Sequence, residues 1–154
     1  MEKKMNRLSI GSGPTVDKDW FGVDLVSKDP RVVICDITKG LPFKNNTIGE
    51  ILCDNVLEHI PAGDQSRDLM NEIYRICKNK AFVGIIVPKW DNQAAWQDPY
   101  HIQVIPPRRA LYWTGKNKYA LQYGYTCQFD ILSIKESGDE KAEMFTIFYL
   151  KAIK

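Results

Sequence analysis

The sequence predicts an α/β fold: a mainly parallel sheet closed by a C-terminal antiparallel hairpin, with some of the usual crossover helices missing. Three observations lead there. Short apolar runs at 8–11, 20–24, 32–36, 48–53 and 81–88 have the composition of strands buried on both faces, as parallel strands are. One long stripe of apolar residues at helical spacing lies between the fourth and fifth of these runs. Two β-like runs, 126–134 and 144–153, finish the chain around the charged turn Glu136-Ser137-Gly138-Asp139-Glu140-Lys141.

The first strand runs into Gly11-Ser12-Gly13, where glycine lets the backbone turn sharply and approach a ligand. Pro14 to Asp19 is too short for a helical crossover, and Ser27-Lys28-Asp29-Pro30 is again loop chemistry, so two crossover helices are missing among the first three strands. The fourth strand ends at Asp54-Asn55, and Val56 to Pro61 reads as a short helical turn. A helix follows over 65–77, capped by Asp64 or Ser66, with Leu69, Ile73 and Ile76 facing the core, and Lys78-Asn79-Lys80 ends it. After the fifth strand, 90–101 is aromatic and polar, Pro106-Pro107 starts a helix to about Trp113, and Thr114 to Asn117 breaks it.

At 154 residues the chain is expected to form a single domain, 1–154. A net charge of +2 argues against a basic nucleic-acid groove, and ordinary apolar and charged fractions argue against membrane insertion. The basic start, Met1 to Arg7, is followed by no apolar core, so it reads as neither signal peptide nor anchor, and a cytoplasmic protein is expected. Cys35, Cys53, Cys77 and Cys127 show no paired spacing and read as reduced core thiols.

Four segments in order, Leu8-Ser9-Ile10-Gly11-Ser12-Gly13, Gly22-Val23-Asp24, Cys35-Asp36-Ile37 with Leu41-Pro42-Phe43, and Asn55-Val56-Leu57-Glu58-His59-Ile60, resemble the class I S-adenosylmethionine-dependent methyltransferases. The subgroup most similar is the small methyltransferases with Leu-Glu-His after the fourth strand. The resemblance implies a Rossmann-like methyltransferase sheet and S-adenosyl-L-methionine as cofactor. It places Gly11 and Gly13 beneath the methionine and ribose portions with Ser12 and Leu25 beside them, Asp24 on the ribose hydroxyls, Asp36 and the Ile37 N–H on adenine, and Asn55 at the methionine end. Asp24 and Asp36 also read as turn-capping residues, the alternative to ribose and adenine contacts. An ionised carboxylate is acceptor-only, which suits hydroxyls and an amino group.

Family members usually carry a helix between the first two strands and another before the first, both on the same face of the sheet. Without them an apolar face is left bare, and a homodimer or partner subunit is expected to cover it, the chain's own loops being the alternative. The acceptor is expected to be a small molecule bearing a hydroxyl, amine or sugar-like group. His101 and Asp98 in the loop after the fifth strand, with His59 after the fourth, are the candidate catalytic residues, because an imidazole suits proton transfer near neutral pH. His59 also reads as a structural residue holding its loop. Metal-ligand types occur at Glu58, His59, Asp98 and His101, but no compact spacing joins them, so none is assigned to a metal. Trp90, Trp96, Tyr100, Tyr112 and Trp113 read either as a lid over a ring-bearing acceptor or as core, and Arg108 and Arg109 as an anion site or a solvated helix face. Two other functions fit part of the pattern: a cofactor-binding subunit without transfer, and a dinucleotide enzyme, the latter disfavoured because the later glycine of that fingerprint is missing.

Overall fold

The computed structural model describes residues 6–138 and 144–154, so Asp139-Glu140-Lys141 of the expected hairpin turn lie outside the described residues. A seven-stranded sheet forms from β1 (Arg7–Ile10), β2 (Phe21–Asp24), β3 (Val32–Ile34), β4 (Ile48–Asp54), β5 (Cys77–Pro88), β6 (Phe129–Gly138) and β7 (Met144–Ala152). Its order is β3-β2-β1-β4-β5-β7-β6. The first five strands are parallel, and β7 runs antiparallel to both β5 and β6. From β1 the chain goes outward to β2 and β3, then returns to lay β4 on the other side of β1. That reversal opens a crevice at the carboxyl ends of β1 and β4, where ligands of open parallel sheets bind.

The helix α1 (Asp64–Ile76) buries Leu69, Met70, Ile73 and Ile76. These pack on the strand face that carries Leu8, Ile10, Val23, Ile51, Cys53, Val83, Ile85, Phe148 and Leu150, all almost wholly buried. Asp64 is the first helical residue rather than the cap, Gly63 precedes it, and Ser66 is buried within the first turn. The stretch after Pro106 is a 3-10 helix, Pro107–Trp113, whose Trp113 stands edge-on to Phe148 at 5.3 Å. Two short helices are additions to the sequence reading: α2 (Ala94–Gln97) and α3 (Lys118–Gln122), the latter capped by the Asn117 side chain, which accepts from the Tyr119 and Ala120 N–H groups. β5 begins at Cys77, so Lys78-Asn79-Lys80 extends the strand rather than separating it from α1; Lys80 takes a φ of 65°, and the β4–β5 ladder shifts register between Ile48 and Glu50.

The opposite face is the one expected to be bare. Along it the half-buried Leu52, Ile86, Ile147 and Tyr149 and the exposed Phe82 follow one another, and α1, the one α-helix longer than five residues among the described residues, packs on the other face. The β2 end of the open face is covered differently. A Cβ on Gly22 would fall 2.3 Å from Ser12 Oγ and 2.8 Å from Val16 Cγ1, so the loop after β1 lies flat on the sheet where the missing helix would stand. The four cysteines are free, Cys53, Cys77 and Cys127 within the core and Cys35 part-buried; burial pushes the Cys77 and Cys127 thiols up to about 12. No helix among the described residues is long and apolar enough to cross a membrane.

Candidate functional site

A cavity of about 350 Å³ opens at the carboxyl ends of the first four strands. Gly11, Asp24, Leu25, Asp36, Ile37 and Asn55 line it, six of the eight residues expected around a cofactor. Gly11 sits at φ +64°, and a Cβ there would lie 2.3 Å from Val56 Cγ2. The backbone of the turn therefore rests directly on Val56, and no other residue type fits without displacing it. Ser12 and Gly13 stand behind the lining: Ser12 leans on Gly22, and the Gly13 N–H donates to Asp24 Oδ2 at 2.8 Å. That bond ties the β1 turn to the end of β2 and fixes the carboxylate, whose Oδ1 receives the longer 3.4 Å contact from the Val26 N–H.

Asp36 caps the 3-10 turn Ile37–Lys39, accepting at Oδ1 from the Thr38 N–H at 3.1 Å and the Thr38 hydroxyl at 2.6 Å. Those bonds and Lys39, 3.2 Å from Oδ2, hold its carboxyl below the usual range, so it stays an acceptor at neutral pH. The capping alternative is thus met by Oδ1. Asn55 takes a φ of 51° and donates from its side chain to Asp54 Oδ1. The loop carrying Asp36 is clamped to α1: Glu72 accepts from the Leu41 N–H at 2.8 Å, and Arg75 bridges Glu72 at 2.6 and 2.7 Å while donating to the Leu41 and Phe43 carbonyls.

At one side of the cavity His59 reaches a second group of side chains. Glu58, in the 3-10 turn Leu57–His59, is only 2% exposed, and neither carboxylate oxygen has a hydrogen-bond partner. Burial is the largest reason its carboxyl is pushed up to about 7. His101 Nε2 lies 4.0 Å from Glu58 Oε1 and 3.7 Å from Asp98 Oδ2. The two imidazole rings meet edge to face at 4.8 Å. His59 Nδ1 is 3.1 Å from the Tyr100 carbonyl, and His101 Nδ1 is 3.3 Å from the Ala95 carbonyl. A carbonyl oxygen only accepts, so in the neutral ring each Nδ1 carries the proton and each Nε2 presents a lone pair.

Backbone pairing brings His101 to His59, and that pairing has no signature in sequence spacing. The Ile102 and Gln103 N–H groups both donate to the Glu58 carbonyl, and the buried Gln103 amide donates to the Leu57 and Ile60 carbonyls at 2.8 and 2.7 Å. Gln103 was missed as a candidate; its oxygen accepts from Arg109 at 3.2 Å, which aims that guanidinium at a second cavity of about 660 Å³ shared with Arg67, Tyr112, Tyr123 and Tyr125. Of the aromatic side chains near the site, Trp90, Trp96 and Tyr100 are exposed and Trp113 belongs to the core.

Comparison with known proteins bears on the same residues. Residues 18–85, which include Asp24, Asp36, Asn55, Glu58 and His59, match the family model described as a methyltransferase domain. Over that stretch, a little under half of its length, the chain is similar to methyltransferase domains. Its fold is similar to that of solved S-adenosylmethionine-dependent methyltransferases at low identity. An S-adenosylmethionine-dependent methyltransferase from Methanosarcina mazei superposes with a TM-score of 0.68 at 11% identity, covering 99% of this chain and 94% of that one. The Burkholderia thailandensis 1,6-didemethyltoxoflavin-N1-methyltransferase, solved with 1,6-didemethyltoxoflavin and S-adenosylhomocysteine, gives 0.67 at 14% identity, with 96% and 71% covered. A methyltransferase from Archaeoglobus fulgidus gives 0.65 at 15% identity, with 97% and 87% covered. An uncharacterized protein of Methanocaldococcus jannaschii is 42% identical over 59 residues, 38% of this chain, and the chain spans 24% of that relative's length.

Proposed function

We propose that this chain is a class I methyltransferase that binds S-adenosyl-L-methionine in the cavity between β1 and β4 and transfers its methyl group to a small-molecule acceptor bearing a hydroxyl, amine or sugar-like group, acting as a single cytoplasmic domain. One observation carries the reading: residues from four separate segments, expected at a cofactor on sequence grounds, line one cavity at the point where the strand order reverses. The fit is chemical as well as spatial. Gly11 lets the β1 turn rest on Val56 where a Cβ would clash, Asp24 and Asp36 offer acceptor oxygens for hydroxyl and amino donors, and the Ile37 N–H stands beside Asp36. When bound, the cofactor supplies an electrophilic methyl group on a positively charged sulfur. Asn55 and Val56 hold the end of the cavity that leads to the histidines. His101, His59 and Asp98 face the acceptor, and an imidazole Nε2 lone pair there takes up a proton that the acceptor loses. Catalysis on this reading consists mainly of positioning and of keeping water from the reacting atoms.

Calorimetric titration with S-adenosylhomocysteine tests the pocket. Asp24→Ala is expected to weaken binding roughly tenfold or more, about 1.4 kcal/mol. No heat with the unaltered chain would turn the search from substrates to binding partners.

A second copy of the chain covers the open sheet face on the same reading. Phe82, Leu52, Ile86, Ile147 and Tyr149 support it, a continuous apolar row of the kind that monomers seldom leave in water. Sedimentation at micromolar concentration is expected to give a dimer mass, and a clean monomer would remove this part of the reading.

A further inference from the structure

We infer that Glu58, His59 and His101 form a binding site for a divalent first-row cation at the acceptor side of the cofactor cavity, and that an oxygen-bearing acceptor completes the cation's coordination. The inference deepens the proposed function, and it rests on that reading only for what the site is used for. Each of the three residues offers one ligand atom, and these atoms all lie within 4.8 Å of one another. Bonds from such cations to nitrogen and oxygen are about 2.0–2.2 Å, so a contraction of the set by about an ångström closes it on an ion.

Two independent features point to a ligand. Glu58 is 2% exposed with both carboxylate oxygens unpartnered, an arrangement that native proteins avoid unless something else neutralises the group. Both imidazoles are also held by carbonyls through Nδ1, the Tyr100 carbonyl for His59 and the Ala95 carbonyl for His101, which leaves the Nε2 lone pairs directed elsewhere. Metal-ligating histidines are oriented in this way, with the second ring nitrogen donating to a carbonyl or carboxylate. Asp98 Oδ2, 3.7 Å from His101 Nε2, stands ready as a fourth ligand. Two imidazoles with one or two carboxylates favour zinc, manganese, cobalt or nickel over calcium, which prefers an all-oxygen shell.

His59 lines the cofactor cavity as well, so the ion lies where an acceptor must approach. An acceptor hydroxyl bound to the ion ionises more readily: its proton passes to bulk water and its oxygen keeps the electron pair for attack. The histidines then hold the ion, and with the ion bound its effect on the acceptor hydroxyl replaces the imidazole's uptake of the proton in the proposed function. An oxygen acceptor is therefore favoured over an amine, whose nitrogen has one lone pair and cannot both bind the ion and attack.

Cobalt(II) alone, added to the full chain after treatment with a chelator, tests the site through its visible absorption and by calorimetry. One ion per chain is expected, with Glu58→Gln and His101→Ala each weakening binding roughly 10- to 100-fold or more. Glu58→Gln keeps the side-chain shape and removes an unpartnered buried charge, so its melting temperature is expected to stay at or above that of the parent, which separates loss of the site from loss of the fold. No stoichiometric binding, or equal affinity in parent and both variants, overturns the inference. Titration with S-adenosylhomocysteine in the absence of metal keeps the two readings apart: cofactor binding without cobalt binding refutes the metal site alone, and cobalt binding lost in Glu58→Gln with no cofactor binding supports the metal site and refutes the cofactor pocket.

Discussion

The two ends of the sheet are held together by different forces. β1, β2 and β3 are three or four residues long, joined by loops, and β3 leaves Val33 and Ile34 exposed at the edge. β4 to β7 are seven to twelve residues long and enclose a core in which Phe148, Leu150, Ile85 and Trp113 are almost wholly buried. What the pocket end lacks in apolar packing it replaces with directed polar bonds: Asp24 to the Gly13 N–H, Arg31 to Asp29 and to the Val16 and Asp17 carbonyls, Asp36 to Thr38, and the Glu72–Arg75 clamp. The contrast teaches how a parallel sheet can lose crossover helices and still present a shaped cavity. Its loops are fixed atom by atom, with a glycine in the sheet making room for the loop above it.

If the hairpin end carries the stability, Phe148→Ala should break the molecule as a whole. It empties a site packed against Trp113 and is expected to cost about 3–5 kcal/mol in urea unfolding, as large aromatic truncations do. If the pocket end carries binding, Gly11→Ala should show the reverse pattern. Its positive φ and the clash with Val56 are expected to cost about 1–3 kcal/mol of stability, and loss of S-adenosylhomocysteine affinity should exceed that of any substitution in the hairpin core. Equal loss of affinity from a hairpin-core substitution of matched stability would erase the distinction.

The seam between the ends is sharpened by pH. Hydrogen bonding from Arg75, with help from the Leu41 N–H, holds the Glu72 carboxyl below its ordinary 4.5 in the folded chain. The unfolded chain therefore takes up the proton first as the solution is acidified. The clamp's contribution is complete above the unfolded value and is lost as pH falls through the folded one. Glu72→Gln is expected to cost about 1 kcal/mol at neutral pH, a modest figure because both side chains are partly exposed, and the difference from the parent should shrink below about pH 4. A difference unchanged by acid would mean that the clamp acts by shape alone.

How far the sequence could be read follows the same division. The strand runs, the stripe of α1 and the closing hairpin were legible because burial in a sheet imposes apolar periodicity. The missing crossovers were legible as loop lengths, and six residues that line the cavity were legible because each lies at or just after a strand end. Lys78-Asn79-Lys80 misled because polar residues at the start of a strand look like a helix stop, whereas a register shift and the positive φ of Lys80 accommodate them in β5. α3 carried a usable signal in Asn117, a capping residue followed by helix formers, inside a stretch that reads first as a break. The meeting of Glu58 and His59 with His101 was illegible, since it depends on the Glu58 carbonyl pairing with Ile102 and Gln103.

The short links among the first three strands also set an order of events for a newly made chain. β1 can meet β2, and β2 can meet β3, after closing only small loops, whereas β1 meets β4 where Arg7 and Glu50 stand 43 positions apart in the chain. Closure entropy rises with the length of chain enclosed, so the β1–β4 pairing is the costlier contact and the slower one to form. The cavity lies along that pairing and so is completed late. A ligand present during refolding therefore meets the site only after that pairing has formed, and it is expected to retard unfolding far more than it hastens the early phases of folding.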